Sequence, residues 1–197
     1  MSNFKNFLRK IYLSPLARFV SLIQNFLSFF HKPFMVYGYK NKVIQKFQKH
    51  TRISSSAILM SRENINIDDH VWVWHYTIID GTAGVKIGKG CHIGGYVGIF
   101  SHGSHNSLRY MGTEYIYTPY QERKGYIFGP VSIGEFSFVG AGSKILPGVN
   151  IGKNCIVASN AVVSSDVEDF QIVGGIPAKV IGDTRDVDKK FLESIKK

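Results

Sequence analysis

A period of six residues constrains this chain more than any other feature of its sequence. Between Ile133 and Glu168 the sequence divides without a gap into six-residue units, each opening on an aliphatic residue and carrying a small or slim residue four places later. This period matches neither the 3.6 residues of a helical turn nor the two residues of a strand. Hexapeptide repeats are a signature of the parallel β-helix. The sequence therefore predicts a β solenoid, in which stacked coils bury apolar faces that a single repeat cannot bury alone.

The same period begins earlier, at Ile67, and continues to Ile99 with one unit that is two residues too long. The extra residues fall in Gly81–Gly84, where glycine permits a tight corner, so we predict a small corner loop there. β-Branched residues at the openings suit short strands. Residues 100–130 keep no period, and a long irregular loop that leaves a regular scaffold is usually functional.

Composition indicates one folded domain and an anionic partner. Of the 197 residues, 44% are hydrophobic and 19% are charged, which is ordinary for a globular protein. The net charge of +10 favours a nucleotide, a phosphorylated lipid or nucleic acid as partner. Nucleic acid is disfavoured, because the basic residues are spread over both termini and do not alternate with stacking aromatics. Cys91 and Cys155 occupy the small-residue place of a hexad, which predicts buried apolar thiols and a reducing, cytosolic compartment.

Three segments are predicted. Residues 1–52 form a basic and aromatic helical segment, in which 39–52 is a solvated connector; residues 53–185 form the solenoid domain with its extended loop; residues 186–197 form a C-terminal helix. Within residues 1–32, Pro15 and Arg18 interrupt the apolar run, so neither a signal peptide nor a confident membrane span is predicted. Three interpretations stay open for that stretch: a helix in the membrane interface, at the inner face of the cytoplasmic membrane; a helix packed on the subunit or its neighbours; and, least favoured, a spanning helix.

Together, the hexads, the loop sequence HGSHNSLRYMGTEY and the closing GGIPAKVIG resemble the hexapeptide-repeat acyltransferases, in particular the galactoside and maltose O-acetyltransferases and their polysaccharide-modifying relatives. The resemblance covers residues 65–185. It implies a mainly β fold, a left-handed parallel β-helix with three hexads per turn. It also implies a homotrimer that binds acetyl-CoA in the groove between neighbouring subunits and requires no metal.

The resemblance further implies a catalytic histidine where the loop leaves the coil, and two candidates stand there. The spacing to the downstream Arg, Gly, Glu and Tyr of the family pattern selects His102, whereas the distance from the preceding hexad lies nearer to His105. Both stay open. Histidine suits a general base because its ordinary pKa lies near neutrality. Glu114 matches a family glutamate that can orient the histidine, and a solvated charge is the alternative.

Other site residues are implied on weaker grounds. His75 falls near a family position that contacts the acceptor, where Asn is commoner, and Asp80 either binds the acceptor or pins the corner loop. The remaining acceptor candidates are Trp74, Arg109 and Tyr115. The implied acetyl-CoA contacts are Phe138, Ala141, Ser159, Ser164 and Lys179.

These features predict an acetyl-CoA-dependent O-acetyltransferase. Its acceptor is expected to be a sugar hydroxyl of a surface polysaccharide, a lipopolysaccharide or a glycan precursor, presented as a saccharide or a lipid-linked saccharide. Three alternatives remain: an N-acyltransferase of an amino sugar or its nucleotide, whose amine needs less help from a base; an acetyltransferase of xenobiotic antibiotics or serine; and a non-catalytic β-solenoid scaffold.

Overall fold

The structure is a computed structural model that describes residues 6, 10, 14 and 17–195, without the side chains of residues 18, 24 and 25. Apart from residues 6, 10 and 14, the first sixteen positions of the predicted N-terminal helical segment therefore lie outside the described residues. The chain divides into two compact units, residues 1–33 and residues 34–197. The helices are α1 (Ala17–His31), α2 (His105–Met111), α3 (Glu114–Tyr117) and α4 (Thr184–Ser194).

All strands of the described chain belong to the second unit. In chain order they are β1 (Met35–Asn41), β2 (Lys46–Ser54), β3 (Ile58–Met60), β4 (Ile65–Ile67), β5 (Trp72–Val73), β6 (Ile78–Asp80), β7 (Val85–Ile87), β8 (His92–Ile93), β9 (Gly98–Phe100), β10 (His102–Gly103), β11 (Ile127–Phe128), β12 (Val131–Ile133), β13 (Phe138–Val139), β14 (Lys144–Ile145), β15 (Asn150–Ile151), β16 (Ile156–Val157), β17 (Val162–Val163), β18 (Gln171–Gly175) and β19 (Ala178–Asp183).

Successive strands go in turn to three sheets, so that each hexad supplies one side of a three-sided coil. Strands β4, β7, β12 and β15 form one sheet; β5, β8, β13 and β16 lie together in a second, which we call sheet A; and β6, β9, β14 and β17 lie together in a third. Pairing within these sets is parallel and in register. The mainly β fold with stacked parallel strands is as the sequence predicted.

The residues that open the hexads stack on one another and form the core. Ile79 pairs with Ile99, Ile99 with Ile145, and Ile145 with Val163, and each of these side chains is buried. The small-residue places also face inward. Cys91 and Cys155 are buried free thiols, as predicted, and burial raises the pKa of the Cys91 thiol to about 11.

From residue 34 onward, the prediction of a helical segment with a solvated connector is wrong, because the chain forms strands there. Strands β1 and β2 form an antiparallel hairpin, and β2 continues sheet A by pairing in parallel with β5. Exposed lysines on this hairpin alternate with buried residues such as Tyr39 and Asn41. Several of the buried positions are polar, among them Asn41 and Gln48, so the sequence does not show the apolar alternation of a strand. Asn41 and Tyr39 donate hydrogen bonds to the carbonyl oxygens of Ile67 (2.9 Å) and Ile65 (3.3 Å), which closes the first coil.

At the other end, β18 and β19 form a second antiparallel hairpin at the edge of sheet A. Helix α4 follows directly and begins at Thr184, two residues before the predicted start. Its N-cap is Asp183, whose carboxylate accepts a 2.8 Å hydrogen bond from the N–H of Arg185. No helix among the described residues is both long enough and apolar enough to span a membrane.

The loop at residues 100–130 is more ordered than its lack of period predicts. Strands β10 and β11 pair as a short antiparallel ladder that closes its base. Helices α2 and α3 and a 3₁₀ turn at Tyr120–Glu122 fill the interior of the loop. The loop leaves and re-enters the solenoid at one corner, between β9 and β12.

Close stacking of the coils makes a specific demand on Gly134. A Cβ atom there would lie 2.5 Å from the backbone carbon of Gly152 and 2.5 Å from the backbone nitrogen of Lys153. We expect Gly134→Ala to lower the free energy of unfolding by about 1 to 3 kcal/mol, because the next coil must shift. Gly182→Ala is the matched control, since its Cβ would meet side-chain atoms no closer than 3.5 Å. Urea unfolding followed by circular dichroism measures both, and equal losses would contradict the stacking argument.

Candidate active site

A carboxylate and an imidazole meet at the corner where the loop leaves the solenoid. Asp80 ends β6, and its strand neighbour in the next coil is Phe100, two residues before His102. Stacking of the coils therefore places position 80 beside the start of the loop. The Nδ1 atom of His102 lies 2.5 Å from Oδ2 of Asp80. The Asp80 side chain is 1% exposed and that of His102 is 25% exposed.

Asp80 is held by a set of donors from the corner itself. Its Oδ1 accepts hydrogen bonds from the hydroxyl (2.6 Å) and the N–H (3.0 Å) of Thr82, and its Oδ2 accepts one from the N–H of Ser101 (3.3 Å). Burial raises the pKa of Asp80, but the hydrogen bonds from Thr82 and His102 outweigh it and hold this pKa below its ordinary value. The carboxylate is therefore ionised near neutral pH.

An ionised carboxylate accepts hydrogen bonds only, so the proton between the two side chains is carried by Nδ1 of His102. In the neutral ring this leaves Nε2 unprotonated and able to accept a proton. The arrangement matches the carboxylate and histidine of hydrolytic triads, where the carboxylate fixes the tautomer and stabilises the imidazolium that forms. The corner can thus supply an oriented general base.

His105, unlike His102, is exposed and has no hydrogen-bonded partner among the described residues. It is the first residue of α2 and is exposed. Its ring lies against Gly103, where an added Cβ would be 3.3 Å from Nδ1. In the described part of the chain its ring makes no hydrogen bond. Of the two predicted histidines, only His102 is oriented by a partner.

Aromatic side chains from the loop gather beside His102. The ring of Tyr126 lies 6.2 Å from that of His102, and its hydroxyl is 2.8 Å from the hydroxyl of Tyr115. The guanidinium of Arg123 lies 4.1 Å from the centre of the Tyr115 ring. The hydrogen bond from Tyr115 and the one from Arg123 lower the pKa of Tyr126. Tyr126 and Arg123 were missed from the sequence; the density of tyrosines in the loop was the available signal.

Two other predicted residues of the loop lie apart from this cluster. Glu114 begins α3, is exposed, and its carboxylate accepts no hydrogen bond from any residue that the structure describes. The partner of His102 is Asp80 instead. Arg109 is exposed on α2, where its guanidinium donates to Oδ1 of Asn106 (3.0 Å).

His75 and Trp74 belong to a different corner, between β5 and β6. Nδ1 of His75 lies 2.7 Å from the hydroxyl oxygen of Ser54, and its ring is 4.9 Å from that of Trp74. Strand β6 separates His75 from Asp80. Among the residues described, no hydrogen bond or ring contact joins His75 or Trp74 to His102. Within one chain, His75 and Trp74 therefore lie at a different corner from His102.

The predicted cofactor contacts are all exposed, and two of them share the corner of His75. The carbonyl of Ala141 accepts a 2.9 Å hydrogen bond from the N–H of Asn160 in the next coil. The N–H groups of Ala141 and Ser159 donate no hydrogen bond within residues 17–195, so both can donate to a ligand. A Cβ at Gly94 would lie 2.7 Å from the nitrogen of Ala141, so glycine at this position lets the two coils approach closely. The other three contacts are Phe138 on β13, Ser164 after β17 and Lys179 on β19.

One cluster among the described residues has side chains close enough to share a metal ion, with ligand atoms of His50, Asp69 and His70 within 4.8 Å of one another. Oδ1 of Asp69 already accepts hydrogen bonds from the N–H groups of His50 (2.7 Å) and His70 (2.9 Å). The two imidazole rings are stacked, 4.5 Å apart and inclined by 15°. The lone pairs of stacked, near-parallel rings lie in parallel planes and do not converge on one ion, so this geometry is not arranged for chelation. The hydrogen bond from His50 to Asp69 instead anchors the hairpin.

Comparison with known proteins gives consistent results. The family described as bacterial transferase hexapeptide (six repeats) matches residues 130–165. The chain is 35% identical over 120 residues to a Saccharomyces cerevisiae protein, YJL218W, that is an acetyltransferase by name; the match covers 60% of this chain and 55% of the yeast protein. The chain thus spans little more than half the length of that relative.

A second relative is matched over most of its length. The chain is 31% identical over 143 residues to the dTDP-4-amino-4,6-dideoxy-D-glucose acyltransferase of Escherichia coli, covering 72% of this chain and 71% of that enzyme. Among solved structures, a galactoside acetyltransferase in complex with coenzyme A is similar with a TM-score of 0.55 at 25% identity, covering 68% of this chain and 62% of that one.

The hydrogen bonds that Asp80 accepts make the stability of the fold depend on pH. Because its pKa is lower in the folded chain than the ordinary 3.8, its contribution to stability is complete above that value and is lost as the pH falls through the folded pKa. We expect the difference in unfolding free energy between wild type and Asp80→Asn to shrink as the pH falls below the ordinary carboxyl pKa of 3.8. Urea titrations over a pH series measure it. A difference that is independent of pH would contradict the ionised, hydrogen-bonded carboxylate.

Proposed function

The chain belongs to the hexapeptide-repeat acyltransferases, and we propose that it transfers an acetyl group from acetyl-CoA to a hydroxyl group of a sugar. The observation that carries the proposal is the pairing of His102 with the buried, ionised Asp80. A sugar hydroxyl is a weak nucleophile and needs a base to remove its proton as it attacks. An oriented imidazole supplies that base, and a non-catalytic scaffold has no use for one.

In the proposed reaction, Nε2 of His102 accepts the proton of the hydroxyl while the hydroxyl oxygen attacks the thioester carbonyl carbon. Asp80 stabilises the resulting imidazolium. The N–H of Ala141 or a loop donor binds the oxyanion of the tetrahedral intermediate. When the intermediate collapses, the C–S bond breaks, and His102 returns its proton to the departing CoA thiolate.

Binding of acetyl-CoA is assigned to the exposed edge at Ala141 and Ser159, whose N–H groups are available to the thioester and its amide-containing arm. Phe138 is 46% exposed on the adjoining strand and offers apolar surface. Ser164 and Lys179 complete the predicted set, with the Lys179 ammonium suited to the nucleotide phosphates as a point charge. The galactoside acetyltransferase that resembles this chain was solved with coenzyme A, which supports a cofactor of this class.

A homotrimer of left-handed coils is part of the proposal. Within one chain, His75, Trp74, Ala141 and Ser159 occupy one corner of the coil and His102 occupies another. A site that combines the Ala141 corner with His102 therefore needs two copies of the chain. In the proposed trimer, the Ala141 corner of one copy faces the His102 loop of its neighbour.

The proposed acceptor is a saccharide or lipid-linked saccharide of a surface polysaccharide, a lipopolysaccharide or a glycan precursor, modified in the cytoplasm where acetyl-CoA is available. Tyr115 and Tyr126 beside His102 suit a sugar, because aromatic rings offer a flat apolar face with a polar hydroxyl. The second candidate is N-acylation of an amino sugar nucleotide, which the Escherichia coli relative supports by its name and coverage.

A matched pair of acceptors separates the two candidates: a dTDP-linked 4-amino-4,6-dideoxyglucose and the corresponding dTDP-linked 6-deoxyglucose with a 4-hydroxyl, each incubated with acetyl-CoA. Release of the CoA thiol gives the rate, and mass spectrometry gives the gain of one acetyl group. The pair of His102 and Asp80, called the dyad below, is suited to hydroxyl activation. We therefore expect acetylation of the hydroxyl sugar. Acetylation of the amino sugar alone would establish the N-acyltransferase instead.

Substitution of the two histidines tests the choice of base. We expect His102→Ala to lower kcat by about 10² to 10⁴, the usual contribution of a general base. His105→Ala and Glu114→Gln are expected to retain activity to within about tenfold, since neither side chain is tied to the dyad. Circular dichroism checks that each variant folds. Loss of activity in His105→Ala with full activity in His102→Ala would reverse the assignment.

A further inference from the structure

Helix α1 presents an apolar face whose large side chains are exposed. Phe19, Leu22, Phe26, Phe29 and Phe30 are 63 to 69% exposed. A single exposed apolar side chain is ordinary, but a contiguous group of large ones marks an interaction surface. The rings of Phe26 and Phe30 contact each other edge to face at 5.4 Å, which makes the group continuous along the helix.

The apolar and polar positions of α1 separate by angle. At about 100° per residue, the exposed apolar side chains from Phe29 round to Leu27 occupy an arc of about 160°. Ser21, Ser28 and His31 fall within about 80° on the opposite side. Such division into two faces is the property of a helix that lies between water and an apolar phase.

We propose that α1 binds the surface of a bilayer that contains anionic lipid, with its phenylalanine face among the acyl chains. The helix has 15 residues, about 22 Å, which is too short for the hydrocarbon core of about 30 Å. The helix therefore lies in the membrane interface and does not span the bilayer. A high content of Phe and Leu on one face is typical of helices that bind in this way.

Charge complementarity points to an anionic bilayer as the occupant of this face. The chain carries a net charge of +10, and the exposed Lys10 and Lys32 flank α1. An anionic lipid surface attracts such a chain over a Debye length. Membrane binding through α1 does not depend on the acyl transfer proposed above.

The test is cosedimentation of the full-length protein with phosphatidylcholine vesicles, with and without phosphatidylglycerol. We expect binding to the anionic vesicles that weakens as salt is added. The double variant Phe26→Gln, Phe30→Gln is expected to lower the partition coefficient at least tenfold, because two large apolar side chains leave the interface. The double variant Ser21→Gln, Ser28→Gln is the matched control, with the same new residue, the same charge and the opposite face, and is expected to change binding less than about threefold.

Three results would overturn the proposal. Wild-type protein that stays in the supernatant with anionic vesicles is one, and equal losses in the two double variants is another. The third is a change of oligomeric state in Phe26→Gln, Phe30→Gln by light scattering with vesicle binding unchanged, which would assign the face to another copy. Acyl transfer to a water-soluble acceptor is expected to be the same in wild type and both double variants, so failure of this proposal and failure of the proposed function are distinguishable.

Discussion

The in-register stacking of aliphatic side chains from coil to coil is the constraint on which the rest of this structure depends. Each hexad contributes one buried side chain to a column, such as Ile79, Ile99, Ile145 and Val163 on one side of the coil. A period of six closes a three-sided coil, and the backbone of each coil is then fixed within hydrogen-bonding distance of the next. Corners consequently lie above corners, and residues that are distant in sequence acquire defined neighbours.

The candidate site uses this regularity and interrupts it. Asp80 ends the strand before the enlarged corner at Gly81–Gly84, and in the next coil the chain leaves the same corner as the loop that begins at His102. Stacking alone brings the carboxylate under the imidazole. A buried carboxylate without partners would be costly, and here Thr82, Ser101 and His102 all donate to it. The scaffold thus supplies a rigid support for a group that must be held in one orientation.

Much of this arrangement follows from the sequence, and the part that does not has identifiable causes. The six-residue period predicted the parallel strands, the buried thiols and the position of the loop, because it reports directly on which side chains face inward. The hairpin at residues 34–54 was missed because several of its buried positions carry polar side chains, so its sequence lacks the apolar alternation of a strand. Asp80 was known as a candidate, but its pairing with His102 depends on stacking across a coil, and sequence spacing had pointed to Glu114. Tyr126 lay outside prediction because loop packing has no period.

The central claim is that Asp80 holds His102 with Nδ1 protonated and Nε2 free to accept a proton. Nitrogen-15 NMR of protein labelled at histidine tests it directly, with the His102 signals assigned by their loss in His102→Gln. At mildly alkaline pH, the account predicts a protonated Nδ1 and an unprotonated Nε2 in wild type, and loss of this preference in Asp80→Asn. A ring of His102 that carries its proton on Nε2, or that exchanges freely between the two tautomers in wild type, would contradict it.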